Sequence, residues 1–232
     1  MASTTCEAGE IGSPYVLKPQ ANSSHSLVLA SLPENGSGLR LLDVGCADGY
    51  LSRIFAARGF SVTAIDAPAQ RARTVPEGVR FLEADLDGGL PHLDGAFDFV
   101  VCADVLEHLR EPGVLLREIR SKMGRGGKLV ASLPNSGNIY FRLNVLLGRF
   151  PQDDRGLFDR THLHFYMWKG WTDLLAQNGF RVAEVRPSVI PFSLALSKQP
   201  ALGALLESVY AVAARMWRTL FAYQFVVVAE VI

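Results

Sequence analysis

The stretch Leu41-Leu42-Asp43-Val44-Gly45-Cys46-Ala47-Asp48-Gly49-Tyr50 decides the fold of this chain. Apolar residues lead into Gly45, Gly49 follows shortly after, and the next residues repeat apolar side chains at helical spacing. The pattern predicts a buried strand, a tight glycine turn and a helix. In open α/β sheets nucleotides bind at such a turn. The missing Cβ atoms of its glycines are expected to let a ligand approach the backbone.

The spacing of the glycines indicates which class of nucleotide the turn can bind. A dinucleotide turn has glycine at its first, third and sixth positions, whereas Ala47 and Tyr50 occupy the third and sixth positions here. A phosphate loop would need Gly-Lys-Ser/Thr, which does not follow the turn. Asp43 places a carboxylate just before the turn, which suits a cationic ligand better than a pyrophosphate. The turn alone fits an ordinary strand-turn-helix unit equally well.

Three further segments, 61–66, 79–85 and 97–104, each read as a strand that ends in an acidic residue. Because the carboxyl ends of parallel strands meet at one edge of a sheet, the four acids are expected to line that edge. Asp66 lies about 20 residues after Gly45, where a carboxylate takes the ribose hydroxyls of a bound nucleotide. A single acid of this kind is more often a helix cap. Four acidic residues, each at the carboxyl end of a predicted parallel strand, favour a binding site.

With these features the chain resembles class I S-adenosylmethionine-dependent methyltransferases. The glycine turn resembles their Asp-x-Gly-Cys-Gly-x-Gly loop, with Ala47 where the family usually has glycine. Asp104-Val105-Leu106-Glu107-His108-Leu109 is typical of the small-molecule branch. Residues 157–165 are similar to a segment of bacterial members related to ubiquinone-type O-methyltransferases. The resemblance extends from Arg40 to the C-terminus.

The resemblance implies an α/β fold of the Rossmann-like, doubly wound type. Its seven-stranded sheet would be mostly parallel, with the last strand antiparallel and helices on both faces. We expect a disordered N-terminus at 1–13 and a single methyltransferase domain at 14–232, with substrate-side insertions near 138–166 and 187–222. Strands are predicted near 40–45, 61–65, 79–83, 97–102, 127–133, 180–185 and 224–232, and helices near 22–32, 111–123, 168–178 and 201–221.

The cofactor implied by the resemblance is S-adenosylmethionine, which leaves as S-adenosylhomocysteine. Asp43 would orient its amino group and Asp66 would accept from its ribose hydroxyls. Asp85 would accept from the adenine amino group, although Asp87 could share or replace this role. Cys46 is expected to contribute its backbone rather than its thiol. The predicted cofactor site comprises Asp43, Gly45, Cys46, Ala47, Gly49, Asp66, Ala67, Ala84, Asp85, Leu86, Ala103, Asp104 and His108.

His108 and His162 are the candidate catalytic residues. A hydroxyl acceptor has to lose its proton as it attacks, and a histidine with a near-neutral pKa suits that task. His108, one turn past Asp104, is either this base or a structural histidine. His162 and His164 face the same side of an extended chain, so one is expected to face the substrate and the other to pack or to pair with an aspartate. No cysteine or third histidine stands at ligand spacing, so no metal site is predicted.

Composition limits the partners and the compartment. Lys+Arg and Asp+Glu both number 23, and this balance argues against a nucleic-acid partner, which usually requires a basic surplus. Three cysteines without a paired motif predict reduced thiols in a cytoplasmic protein. Neither a secretory signal nor an uncharged apolar run of about 18 residues is visible, so no membrane span is expected. The sequence does not indicate an oligomeric state.

The predicted function is transfer of a methyl group from S-adenosylmethionine to a small-molecule acceptor, with a hydroxyl oxygen favoured. The alternatives are an N- or C-methyltransferase of the same fold, a non-catalytic or regulatory adenosyl-nucleotide-binding module, and a nicotinamide oxidoreductase, which the glycine spacing disfavours. Apolar residues in 138–166 fit two interpretations equally: an acceptor with an aromatic or lipid-like part, or ordinary core packing.

The amphipathic helix at 201–221 has two interpretations. The first expects its apolar face to pack on the sheet. The second expects it to roof the acceptor pocket, or to make a peripheral membrane contact through Trp217, Phe221 and the two arginines Arg215 and Arg218.

Overall fold

Seven strands form the centre of the molecule. Its structure is a computed structural model that describes residues 22–67, 77–190, 192, 196 and 198–232. The strands are β1 (Arg40–Val44), β2 (Ser61–Asp66), β3 (Val79–Glu83), β4 (Phe97–Ala103), β5 (Met123–Pro134), β6 (Phe180–Pro187) and β7 (Gln224–Val231). Their order in the sheet is β3-β2-β1-β4-β5-β7-β6. The pairs from β3 to β5 are parallel, whereas β7 runs antiparallel to β5 and β6. The predicted fold class is confirmed.

Helices cover both faces of the sheet. They are α1 (Ser24–Ala30), α2 (Tyr50–Ala57), α3 (Pro112–Lys122), α4 (Ile139–Leu146), α5 (Trp168–Gln177), α6 (Pro200–Met216) and α7 (Arg218–Phe221). On one face, α1 and α2 bury Val28 and Phe55 against the strands. On the other, α3 and α5 bury Leu115 and Trp171. The segment 1–13, predicted to be disordered, lies outside the described residues.

The central strands are apolar on both sides because both faces of the sheet are covered. In β1, Leu41 belongs to the core under α1 and α2, whereas its neighbour Leu42 belongs to the core under α3 and α5. Val100 and Val101 of β4 alternate in the same way. The alternation fixes the register of these strands, since a slip by one residue would exchange the two sets of side chains.

Two elements differ from the prediction in their limits. β5 begins at Met123 instead of 127, because Met123 pairs with Phe97 before a register shift that separates Phe97 from Phe99. The helix predicted at 201–221 is interrupted at Trp217, which has extended dihedral angles of φ −138° and ψ 72° and separates α6 from α7.

The apolar face of α6 points away from the sheet, so the expectation that it packs there is wrong. The buried positions of α6 are small residues, Gly203, Ala211 and Ala214, and the alanines pack against Val189. The large side chains of the helix are exposed instead. These are Leu202, Leu205, Leu206, Val209, Val212 and Met216, continued by Trp217. Among the helices that the structure describes, none is long and apolar enough to cross a bilayer.

Gly45, which follows β1, is required by packing within the protein. Its φ of +71° lies in the left-handed region, and a Cβ atom added there would lie 2.3 Å from Cγ2 of Val105. The sequence interpretation assigned this space to a ligand, whereas the contact is with the chain segment that follows β4. Because Gly45 lacks a Cβ atom, the turn after β1 can lie directly against Val105 in the segment that follows β4.

We expect Gly45→Ala to lower the free energy of unfolding by about 2–5 kcal/mol, the sum of a left-handed alanine and an overpacked contact. Urea unfolding measures the change. Gly126→Ala is the matched control, because Gly126 also has a positive φ but has open space around it. Adding Val105→Ala to Gly45→Ala should recover part of the loss. Strictly additive effects of the two changes would contradict the clash.

Candidate active site

The carboxyl ends of the central strands lie side by side. Val44 is paired with Ile65 of β2 and with Cys102 of β4, and Ala103 is paired with Ser132 of β5. The segments that follow these strands therefore share one edge of the sheet. This is the edge at which open α/β sheets bind ligands.

The glycine turn is held by backbone hydrogen bonds to β2. The amides of Gly45 and Cys46 both donate to the carbonyl of Ile65, at 2.8 and 3.1 Å. Gly45, Ala47 and Gly49 all have positive φ angles, of 71°, 48° and 70°. Ala47, at the position where the family motif usually has glycine, adopts a left-handed conformation, at a cost of about 1–2 kcal/mol for an L-residue.

Asp66 closes this turn with its side chain. One carboxylate oxygen accepts the Ala47 amide at 2.6 Å and the other accepts the Ala67 amide at 2.7 Å. Burial raises the pKa of Asp66, and the two amide bonds oppose that rise. Each oxygen keeps a second lone pair, so the fixed carboxylate can also accept from the hydroxyls of a ribose. The residues of the turn fit the adenosyl group that the sequence predicts.

Asp43 lies beneath the turn and is buried. Its carboxylate accepts a 2.5 Å hydrogen bond from the hydroxyl of Ser52 in α2. Burial raises the pKa of Asp43 to about 7, while the bond from Ser52 lowers it. Asp43 thus fastens α2 to β1, and its role toward the cofactor amino group stays a prediction.

Cys46 and Asp85, two further predicted residues, make local contacts. The Cys46 thiol lies 3.8 Å from the Ala47 carbonyl, and burial raises its pKa well above the usual range, so the thiol stays neutral. Asp85 is exposed and accepts the Asp87 amide at 3.0 Å, which caps a 3₁₀ turn at Leu86–Gly88. The Ala84 amide donates to the Asp66 carbonyl at 3.0 Å, and this places 84–86 beside the end of β2.

Asp104 joins three strands at the binding edge. It has a positive φ of 56°, and its carboxylate accepts from Ser132 Oγ and, at 2.8 Å, from Gln224 Nε2. These donors lie on β5 and β7, while Ala103 at the end of β4 leads directly into Asp104. A left-handed aspartate is held only where its surroundings impose that conformation, and such residues concentrate at functional sites.

His108 and His162, distant in sequence, meet at this edge. The carbonyl of Glu107 accepts the amides of Leu163 and His164, at 2.8 and 3.2 Å. These bonds fasten the segment 157–165 to the 3₁₀ turn at Leu106–His108. The two imidazole rings then lie with their centroids 4.7 Å apart. The pair of candidate catalytic histidines is therefore brought together.

Glu107 completes this group and was missed by the sequence interpretation. Its side chain is fully buried, and its Oε1 lies 4.0 Å from Nε2 of His108 and 3.9 Å from Nε2 of His162. Burial raises the pKa of Glu107 well above its usual range. We name these three side chains the Glu–His–His cluster. The available signal was the position of Glu107 next to His108, in the motif that carries the family resemblance.

The protonation of the two histidines follows from their contacts. His108 Nδ1 donates to the carbonyl of Thr161 at 3.2 Å and lies 3.0 Å from its hydroxyl, which itself donates to Asp159 at 2.6 Å. Because a carbonyl can only accept, Nδ1 carries a proton in this contact, and Nε2 is the ring nitrogen that faces the cluster. Burial and the neighbouring His108 lower the pKa of His162 to about 4, so its ring is neutral at neutral pH.

His164 packs away from the cluster. Its ring stacks on Tyr166 with centroids 5.3 Å apart, and its Nε2 lies 3.3 Å from the carbonyl of Arg110. His162 therefore lies in the cluster, while His164 packs, which is one of the two alternatives predicted for the second histidine.

Aromatic side chains border the cluster on the side of the insertion. Phe141 of α4 stacks on Phe158 at 4.4 Å, and Phe150 meets Phe158 edge-on at 5.3 Å. Phe165 lies 5.9 Å from Phe141 and 6.0 Å from the ring of His162. Because Phe165 is partly exposed, it offers an apolar surface next to the Glu–His–His cluster.

Comparison with known proteins gives a family match and a set of similar structures. A family described as "Methyltransferase domain" matches residues 20–185. An S-adenosylmethionine-dependent methyltransferase from Mesorhizobium loti superposes with a TM-score of 0.62 at 21% identity, over 90% of this chain and 98% of its own. Magnesium protoporphyrin IX methyltransferase from Synechocystis PCC 6803, solved with bound SAH, superposes with a TM-score of 0.56 at 20% identity, over 88% and 78%.

Curated relatives are similar over a shorter stretch. The ubiquinone biosynthesis O-methyltransferase of Caulobacter sp. (strain K31) is 35% identical over 105 residues, which are 42% of this chain and 42% of the relative. The mitochondrial enzyme of that name from Schizosaccharomyces pombe is 37% identical over 105 residues, 41% of this chain and 38% of its own length. The chain thus spans less than half the length of these relatives.

We expect Asp66→Ala to weaken binding of S-adenosylmethionine and S-adenosylhomocysteine by about 1–3 kcal/mol, because the ribose hydroxyls lose a fixed acceptor and the turn loses two of its bonds. Isothermal titration calorimetry measures both affinities. Asp94→Asn is the control, since Asp94 precedes β4 at the opposite edge of the sheet. Tight binding of NAD without binding of S-adenosylmethionine would show that the site was assigned to the wrong nucleotide.

Proposed function

The chain belongs to the methyltransferase-domain family, and from this premise we propose that it is an S-adenosylmethionine-dependent methyltransferase whose acceptor atom is a hydroxyl oxygen of a small molecule. The observation that carries the proposal is the Glu–His–His cluster, which follows β4 at the same edge as the glycine turn. A neutral hydroxyl gives up a proton as it attacks, and the cluster offers nitrogen and oxygen atoms that can receive one. The O-methyltransferases among the relatives support the same acceptor atom.

The protein's own residues align the two reactants. When bound, S-adenosylmethionine supplies a methyl group already activated by its sulfonium charge. The glycine turn and Asp66 would fix the adenosyl group, and Asp43 and Asp85 remain proposed contacts to its amino groups. Because the methyl is activated, much of the rate would come from holding the acceptor oxygen in line with it.

His108 is the better of the two proposed general bases. Its Nε2 carries the lone pair, Thr161 and Asp159 hold the ring by the opposite nitrogen, and part of its side chain reaches solvent. The side chain of His162 is only 6% exposed, and with a pKa of about 4 it is a weak base near neutral pH. Its place beside the ring of His108 suits orientation of the acceptor.

We expect His108→Ala to lower turnover by about 10²–10⁴-fold with little change in S-adenosylmethionine affinity, because the residue acts on the acceptor. Release of S-adenosylhomocysteine from a panel of phenols and alcohols measures turnover, and calorimetry measures the affinity. The exposed His92, in the loop before β4, provides the control His92→Ala. Cofactor binding without transfer to any hydroxyl compound would instead favour an amine or carbon acceptor or a non-catalytic module.

We further propose that the acceptor has a long apolar part and is met at an anionic lipid surface. Besides the exposed apolar face of α6, α4 and the turn after it expose Leu143, Leu146 and Leu147. The two helices adjoin where Asn138 donates to the hydroxyl of Tyr210 at 3.2 Å. The acceptor could pass from this face to the aromatic side chains beside His162.

The charges around this face favour anionic headgroups. Arg142 and Arg149 are exposed on α4 and its following turn, a segment without acidic residues, and Arg215 and Arg218 are exposed at the end of α6 and the start of α7. Apolar residues flanked by arginines are the composition of peripheral membrane contacts. Cys46 and Cys102 are buried free thiols, which supports the cytoplasmic location that we propose.

We expect the protein to co-sediment with vesicles that contain anionic lipid, and binding to fall as salt is raised, because salt screens the arginines. Trp217→Ala and Leu205→Ala should both weaken sedimentation while changing unfolding free energy by no more than about 0.5 kcal/mol, the effect usual for exposed positions. Val114→Ala, an exposed apolar residue of α3, is the control. If nothing sediments, or if Leu205→Ala markedly lowers Tm, this face serves protein packing and the lipid proposal fails.

A further inference from the structure

We infer that Asp159 and Thr161 are positioning residues for His108, which keep Nδ1 of its ring protonated and Nε2 unprotonated and stabilise the positive charge that forms when Nε2 takes up a proton. The three side chains, which we name the Asp–Thr–His triad, come from two segments: His108 follows β4, and the other two lie in the insertion after β5. The inference rests on the proposed function for the step that His108 performs. The state of the ring follows from the hydrogen bonds alone.

The hydrogen bonds of the triad can run in only one direction. The Thr161 hydroxyl has a single hydrogen, and its Oγ1 lies 2.6 Å from Oδ1 of Asp159 and 3.0 Å from Nδ1 of His108. A carboxylate only accepts hydrogen bonds, so the hydroxyl donates to Asp159 and turns a lone pair to Nδ1. The Thr161 carbonyl, a second acceptor, lies 3.2 Å from the same nitrogen. Two acceptors therefore face Nδ1, and both would repel it without a proton.

The other ring nitrogen of His108, Nε2, makes no hydrogen bond within the described residues. Oε1 of Glu107 lies 4.0 Å from it, which is beyond hydrogen-bond distance. In a neutral imidazole, the hydrogen bond made by one nitrogen decides the state of the other. A proton held on Nδ1 therefore leaves Nε2 as a base that can take the proton of an acceptor hydroxyl.

The carboxylate of Asp159 is held by more than the Thr161 hydroxyl. Its Oδ1 also accepts the Thr161 amide at 2.8 Å, and its backbone bonds to Gly156 and His162, at 3.2 and 3.1 Å. The residue is buried. In the part of the chain that the structure describes, no lysine or arginine forms a salt bridge with it. Asp159 is therefore a fixed negative charge without a permanent cationic partner.

The charge of Asp159 acts on the histidine pair. Burial lowers the pKa of His162, and the carboxylate of Asp159 opposes that fall. The ring of His162 lies 4.7 Å from that of His108 between centroids, and His108 is itself joined to Asp159 through one hydroxyl. Hydrogen bonds that involve an ionised group are stronger than those between neutral groups. Protonation of His108 would therefore strengthen the triad.

The triad would balance the charge that methyl transfer moves. The acceptor oxygen would bond to the methyl carbon through a lone pair and lose its proton to Nε2 of His108, while the electron pair of the broken C–S bond stays on sulfur. The positive charge of the sulfonium thereby passes to the imidazole. Its Nδ1–H would point, through Thr161, at the Asp159 carboxylate. A carboxylate behind a histidine base holds its tautomer and stabilises its charged form in the same way in serine proteases.

The first test reads the ring directly and needs no acceptor. The full chain is labelled with ¹⁵N-histidine, and long-range ¹H–¹⁵N spectra are recorded as the pH is raised until the His108 signals stop shifting. His108→Ala identifies those signals. We expect Nδ1 protonated and Nε2 unprotonated in the wild type. In Thr161→Val, which keeps the shape of the side chain but removes the hydroxyl, the Nε2-protonated form should appear, and Thr161→Ser should restore the wild-type spectrum.

The second test asks whether Asp159 acts through His108. Asp159→Asn keeps an oxygen acceptor but removes the charge, so we expect turnover of hydroxyl compounds to fall about 10–10²-fold, a part of the loss expected for His108→Ala. S-adenosylmethionine affinity should not change. In the His108→Ala background the same substitution should cause no further loss. Asp153→Asn, an exposed carboxylate of the same loop, is the matched control and should turn over normally.

The outcomes separate the inference from the proposed function. A wild type with the His108 proton on Nε2 would overturn the inference, as would Thr161→Val and Asp159→Asn that leave both spectrum and turnover unchanged. Equal losses from Asp159→Asn with and without His108 would also overturn it, because the residue would then act through the fold. If the ring has the expected tautomer but no hydroxyl compound is methylated, the positioning stands and the proposed function fails. Should Asp159→Asn not fold, Thr161→Val and Thr161→Ser decide by spectrum and turnover.

Discussion

Burial of carboxylates at one edge of the sheet is the constraint on which the rest of the site depends. Asp43, Asp66, Asp104, Glu107 and Asp159 all lie at or near this edge, and each needs donors in return for lost hydration. All but Glu107 receive hydrogen bonds, and these bonds also join the elements: Asp66 closes the glycine turn, Asp43 fastens α2 to β1, and Asp104 connects β4 to β5 and β7. Cofactor binding and folding are consequently linked here, and Glu107 is the one of these five side chains without a hydrogen bond.

The sequence predicted most of the fold because strand and helix signals are local. The apolar runs around Leu42 and Val100, the glycine turn and the acids after the strands each follow from neighbouring residues. The cluster of Glu107 and His162 did not follow, because the bonds from Leu163 and His164 to the Glu107 carbonyl are contacts across the fold. Spacing along the chain identifies local motifs but not a group of side chains assembled from two segments.

The wrong prediction that the apolar face of α6 packs on the sheet has a different physical origin. Apolar residues at helical spacing show that a helix has an apolar face but not what covers it. The small residues Gly203, Ala211 and Ala214 allow close approach of the helix on its other side, and nothing in the periodicity of the leucines and valines distinguishes this arrangement from core packing. The signal that could have helped is the presence of glycine and alanine at helical spacing opposite the large residues.

The insertion after β5, residues 138–166, carries both part of the proposed lipid-facing surface and the proposed site residue His162. Its first part, α4, carries exposed leucines and adjoins α6 through Asn138 and Tyr210. Its last part, 157–165, supplies His162 and is bonded to Glu107. Phe141 of the first part stacks on Phe158 of the last part, and both belong to one buried cluster. This aromatic pair thus packs α4 against the segment that carries His162. Binding of an apolar acceptor and alignment of its hydroxyl are thus expected to depend on the same short piece of chain.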